Sequence, residues 1–427
     1  MQNESKIRIN RRLLGHVAAR TAELPLEKHV NDPRTENVSW SLRTFLVAAI
    51  TGIVAGCKGF GELEQLTDNL GGGARRALGL RGRLPDTTVR DTCARINPHD
   101  VRKVIYSQIR TAHRRKQLEH DLPVRALAMD GKVESTTYYD WPDSKEKFGQ
   151  VDSNGRCLVR TVTATLVSVP ARPCLDACPI RRETNEMGMF IEALDDLLAA
   201  YGKLLFDLVM YDAGACGLEN ANAIIARELD YLFCLTKGQP TLLEDAQKFL
   251  GHKTAAQADA TSTDLDGGRI VVRRMWRTDK MAGWLDWKHL NTVIRLECTV
   301  TDKTTLEETV ENRYYISSLA LDHLTPDQWL TLIRRRWSVE NQCHNTFDKI
   351  LLEDKRPWMR RPQGMLVMLL LRRVAYNALA IYRAVTTRAE RKRAIPWKEL
   401  MQQINVALVK LTGADMKGVR RRGVVFG

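Results

Sequence analysis

Between residues 325 and 353 the apolar positions recur with the period of an α-helix. At about 100° per residue, Ile333, Trp337, Glu340, His344, Phe347 and Leu351 project along one line, which places a carboxylate in the middle of the buried stripe. The expected start of this helix is Thr325 as cap, Pro326 at the first helical position and Gln328 three residues after the cap, the residues of a capping box. Two shorter apolar runs upstream also end in acids. VRALAMDGK, residues 124–132, leads to Asp130 and Gly131; LLFDLVMYDAG, residues 204–214, leads to Asp212, Ala213 and Gly214. Each reads as a buried strand with an aspartate at its C-terminal end, the edge of an α/β sheet at which ligands bind.

Around these landmarks the pattern divides the chain. Residues 1–118 read as a helical N-terminal domain, with an apolar helix near 41–57, a flexible turn at 71–73, and a helix through Ile96 capped by Asp86 or Thr87. This domain is either a helix-turn-helix-like DNA reader or a helical bundle for dimerisation. From Pro123 strands at Leu127–Asp130, Cys157–Val169, Phe206–Tyr211 and Tyr231–Leu235 alternate with helices near 185–200 and 218–228, which predicts an α/β fold around a mixed sheet over 119–385. A β-rich stretch, about 237–312, reads as an insertion accommodated outside the core sheet. Residues 386–427 read as a basic C-terminal tail that adds helices.

A buried carboxylate is costly unless it is paired, hydrogen-bonded or bound to a metal. Glu340 has three outlets: His344 one turn on, Arg336 one turn back, or a cation shared with Asp130 and Asp212. Three carboxylates converging on one point repel unless divalent cations lie between them, so the triad reads as a site for Mg²⁺ or Mn²⁺, two ions about 3.5–4 Å apart acting on a phosphodiester. His344 shares the helical face of Glu340 and is either a direct ligand or, as the favoured reading, a supporting or packing residue.

Charge narrows the partner. The chain carries 65 Lys and Arg against 51 Asp and Glu, a net charge of +14, with basic clusters at 114–116, 334–336, 360–361, 388–393 and 417–422. That surface favours a polyanion. Lys132, Arg334, Arg335 and Arg336 are candidate DNA-phosphate contacts, and Trp276, Trp284 and Trp287 either stack on bases or, as the favoured reading, belong to the core. Nine dispersed cysteines without a CxxC pair suggest free thiols in a reducing cytoplasm; the apolar run at 45–57 is too short for a membrane span, and that at 365–371 is broken by Arg372 and Arg373 and reads as a core helix.

Several blocks resemble the DDE transposases of bacterial insertion sequences, specifically the H-repeat-associated group: AMDGK at 128–132, ETNEM at 183–187, VMYDAG at 209–214, DYLFCLTKGQ at 230–239 and RRRWSVENQCHNTFDKILLED at 334–354. In the last block Trp337, Glu340, Asn341, His344, Asp348, Glu353 and Asp354 are in register. Arg336 and Glu340 keep a shared Arg-three-Glu spacing, while Ile333 and Phe347 stand where a tyrosine and a lysine are expected. The resemblance implies an RNase H-like core with a β-rich insertion, Asp130, Asp212 and Glu340 as metal ligands, and cutting of double-stranded transposon ends with joining to target DNA. It also implies a homodimer or larger synaptic complex. A nuclease that hydrolyses without strand transfer, and a DNA-binding relic without catalysis, are the alternatives.

Overall fold

The computed structural model describes residues 11–34, 38–137, 148–386 and 395–412. Ten strands form one mixed sheet: β1 (Ala126–Thr137), β2 (Gln150–Val151), β3 (Arg156–Leu166), β4 (Cys174–Pro179), β5 (Leu208–Tyr211), β6 (Asp230–Leu235), β7 (Ala260–Asp266), β8 (Arg269–Thr278), β9 (Thr292–Asp302) and β10 (Glu308–Ser317). Its core runs β4-β3-β1-β5-β6. The first three pair antiparallel, and β5 and β6 run parallel to β1, the topology of an RNase H-like core. The residues that drive this are apolar on both faces: Leu208, Val209, Met210 and Tyr211 in β5 are all fully buried, as expected of a central parallel strand.

The β-rich stretch is not a separate layer. β10 pairs antiparallel with β6, and β9, β8 and β7 follow, so the extra length between Asp212 and Glu340 extends the core sheet itself instead of lying outside it. It also contains a helix, Pro240–Leu250, that its alternating pattern did not announce. Trp276 and Trp287 are buried here and Trp284 donates to Asp245, so the core role holds for these tryptophans.

Helices 42–55 and 98–114 from the N-terminal segment pack against helix Pro362–Ile381, which lies on β3 and β4. Their apolar side chains form one continuous core with the sheet, from Leu13 to Leu411. Residues 71–73 open a helix, Gly72–Leu78, where a flexible turn was expected. Gly71 is required there because a Cβ would stand 2.6 Å from the Leu411 carbonyl oxygen. The helix after Pro85 has no side-chain cap, and the following helix, Pro98–Arg114, is buried along much of its length.

The C-terminal segment is more than a tail: helix Trp397–Lys410 packs on helix 42–55. The basic clusters at 388–393 and 417–422 lie outside the described residues. Helix Pro362–Ile381 is apolar and long enough to cross a bilayer by composition, yet it is buried throughout the fold. Among the described residues no two cysteines are joined in a disulfide.

Candidate metal centre

β1 and β5 bring the two aspartates together. Their last parallel pair is Ala128 with Met210, and Asp130 and Asp212 each follow two residues later, so both side chains leave the same face at the same level of the sheet. Asp212 accepts the Gly214 backbone N–H at 2.9 Å. A third acid joins them from the ETNEM block. Asn185 caps helix Glu186–Tyr201 by accepting the Gly188 N–H at 2.9 Å, which sets Glu186 at the first helical position. Carboxylate oxygens of Asp130, Glu186 and Asp212 lie within 4.8 Å of one another.

Two contacts hold Glu186 in place. The Tyr211 hydroxyl donates to its Oε1 at 2.6 Å, and a Cβ on Gly131 would fall 1.8 Å from its Oε2. The glycine after Asp130 thus leaves room for the Glu186 carboxylate, which any larger residue would displace. Glu186 was not singled out as an acid of the site in the sequence; the signal was there as an Asn cap followed by Glu.

Glu340 arrives differently from expectation. The helix that begins with the Thr325 capping box ends at Arg336, and Val339–His344 follows as a wider π-helical turn before helix Asn345–Lys349. Such turns recur at functional sites because the extra residue per turn re-aims side chains. Glu340 is half-buried and faces a cleft of about 660 Å³ that it lines with Asp212, while His344 is buried and turns toward the sheet. Arg336 stands 3.9 Å from Glu340. His344 does not bond Glu340: its Nδ1 is 3.3 Å from Asp130 Oδ2.

The electrostatics follow from this crowding. Burial, then the charges of Glu340, Glu186 and Asp212, push Asp130 up to about 8. Burial also raises Glu340 and Glu186, against the opposing pulls of Arg336 and the Tyr211 hydroxyl. Burial lowers His344 to about 3, so the ring is neutral beside Asp130. An all-carboxylate oxygen donor set with this mutual repulsion fits hard divalent cations such as Mg²⁺ or Mn²⁺.

The expected phosphate contacts divide. Lys132 is buried and paired with Glu134 at 2.7 Å, Asp348 at 2.6 Å and Asp354 at 3.4 Å. Arg336 is buried too, its Nε and Nη1 without a hydrogen-bond partner among the described residues. Arg334 is exposed and bonds Asp264; Arg335 grips Asp121 with two nitrogens.

No protein-family model matches the chain. Among curated proteins it is 24% identical over 382 residues to the "H repeat-associated putative transposase YhhI" of Escherichia coli (strain K12), covering 85% of this chain and 92% of that protein. It is 23% identical over 377 residues to the "Putative protein YbfL" of the same organism, covering 84% of this chain and 90% of that protein. The likeness to the H-repeat-associated transposases therefore extends over most of the chain. Among solved structures, a piggyBac transposase synaptic complex with hairpin DNA superposes with a TM-score of 0.42 at 10% identity, covering 98% of this chain and 81% of that one, below the level at which two chains share a fold.

Proposed function

We propose that this chain is a DDE-type DNA transposase in which Asp130, Asp212 and Glu340, with Glu186 beside them, hold two divalent cations, Mg²⁺ or Mn²⁺. The observation that carries the reading is the convergence of Asp130, Glu186 and Asp212 within 4.8 Å at the C-terminal edge of parallel strands, with Glu340 charging the same spot from the π-helical turn. Such ions, when bound, activate an attacking hydroxyl and stabilise the leaving oxygen of a phosphodiester.

The chain's own residues supply the rest. Asp130 and Asp212 fix one pair of oxygens rigidly because both leave a central sheet. Glu340 sits on a locally irregular turn, which leaves it freer to adjust. Neutral His344 orients Asp130 without adding a positive charge that would repel cations. The substrate would be the double-stranded ends of an insertion element, cut and then joined to target DNA, within a homodimer or larger synaptic complex at the bacterial nucleoid. The curated relative's description as a transposase and the basic surface support this reading.

The test is a cleavage and joining assay on a labelled duplex carrying the element ends, with Mg²⁺ or Mn²⁺, for wild type and Glu340→Gln. Products longer than the substrate, lost in the variant, are expected. Shortened products alone would convert the reading to a hydrolytic nuclease, and binding without cleavage to a catalytically silent DNA-binding protein.

A further inference from the structure

A second groove, of about 610 Å³, lies on the other side of the helix that leads to Glu340. It shares a wall with the acid cleft: Glu311, Arg313 and Trp337 line both. The Trp337 ring is sandwiched there between the Arg313 guanidinium at 4.3 Å and that of Arg336 at 4.1 Å. Along the groove Thr331, Arg334, Arg335, Ser338, Asn341 and Gln342 recur every three or four residues, a polar stripe on the helix side away from Glu340. Arg273 of β8 and Arg172, between β3 and β4, also line it.

Five arginines and one carboxylate line this groove, and their pairing is incomplete. Arg273 and Arg334 both bond the same Asp264 oxygen, at 2.5 and 2.6 Å, so one carboxylate charge serves two guanidinium groups. Arg172 Nε is buried with no hydrogen-bond partner among the described residues, and its pKa is lowered by burial and by Arg335. Exposed Asn341 and Gln342 carry amides that can give and accept hydrogen bonds. One carboxylate shared by two arginines, an arginine Nε without a hydrogen-bond partner among the described residues, and exposed amides in one trough beside the acid site together suit phosphate oxygens.

We propose that this groove seats one strand of the DNA backbone and leads it over the Trp337 wall to the acids, with Arg172, Arg273 and Arg334 on successive phosphates and Asn341 and Gln342 on sugar or base edges. The inference rests on the DNA transposase reading. It adds a track, and it makes Asp264 an internal competitor that phosphate must displace from two arginines.

The experiment is a salt titration of duplex binding by fluorescence anisotropy, without divalent metal, for wild type, Arg172→Gln, Arg334→Gln and Asp264→Asn. Each phosphate contact contributes about 0.9 to the slope of log K against log salt. The arginine variants are expected to bind several-fold more weakly with a slope shallower by about one. Asp264→Asn, which removes the one negative charge that pairs two arginines, is expected to bind more tightly, an outcome that misfolding does not produce. Wild-type slopes in all three variants, with wild-type DNA cleavage retained, would overturn the groove and leave the transposase reading standing; a wild-type protein that neither binds nor cleaves DNA would overturn both.

Discussion

His344 faces Asp130 across 3.3 Å, although the two are 214 positions apart and the sequence periodicity aligns His344 with Glu340. The π-helical turn from Val339 to His344 separates the two roles: Glu340 goes to the cleft and the imidazole goes to the carboxylate behind it. A neutral ring in that place fixes the aspartate's orientation, and supporting residues of metal sites typically contribute 10–100-fold in affinity or activity. His344→Gln is expected to raise the half-saturating Mg²⁺ or Mn²⁺ concentration by about that factor while the protein stays folded. An unchanged metal titration would remove both the supporting role and direct ligation.

Glu186 is expected to matter as much as the three acids legible from the start. Glu186→Gln keeps the shape and the partner of the Tyr211 hydroxyl but removes a charge from the cluster. Calorimetric titration with Mn²⁺ should show weaker binding, and end cleavage should fall about 100-fold or more, on the scale of losing a preorganised charged group. Wild-type affinity in the variant would leave Glu186 a purely structural cap residue.

Asp130 makes the metal-free protein sensitive to alkali. Its folded value is about 8, against about 3.9 in an unfolded chain. Between those values the folded state holds a proton that the unfolded state has released, so the stability contributed below pH 4 is lost as pH rises through about 8. With EDTA the Tm is therefore expected to fall between about pH 4 and 8, and Mg²⁺ to restore it most at the alkaline end. Asp130→Asn should flatten both dependences; a wild-type Tm indifferent to pH and metal would contradict the proposed centre.

Lys132 is expected to behave as a structural cation. Its side chain is 5% exposed, and although burial opposes its charge, Glu353 and Glu134 outweigh this and raise its pKa. It ties β1 to the helix after Glu340 through Asp348. Removing one partner from a buried ion network costs about 3–5 kcal/mol. Lys132→Met should show a loss of that order in chemical denaturation, whereas a phosphate-binding lysine would leave stability unchanged and weaken only DNA binding.

Asp130 and Asp212 were visible in the chain because a central parallel strand is apolar on both faces, so an acid at its end stands out against every neighbour. Glu340 stood out for the same reason on a helix. Glu186 did not, since an acid in the first turn of a helix is also what capping and the helix dipole favour, and nothing local separates the two uses. The burial of Lys132 is hidden for a related reason: a lysine beside an Asp-Gly at a strand end looks exposed until Asp348 and Asp354 arrive from more than 200 positions away.

The sequence by itself determined the strands and helices of the core, the three acids, the capped start of the Glu340 helix and the basic surface, all of them consequences of local periodicity, capping chemistry and charge. Tertiary structure alone decided that the insertion would extend the same sheet, that Glu186 would join the acids, that His344 would face Asp130, and that Lys132 would be buried. These depend on which distant backbone edges pair and on which charges must be neutralised once water is excluded, and neither is encoded within any one segment of the chain.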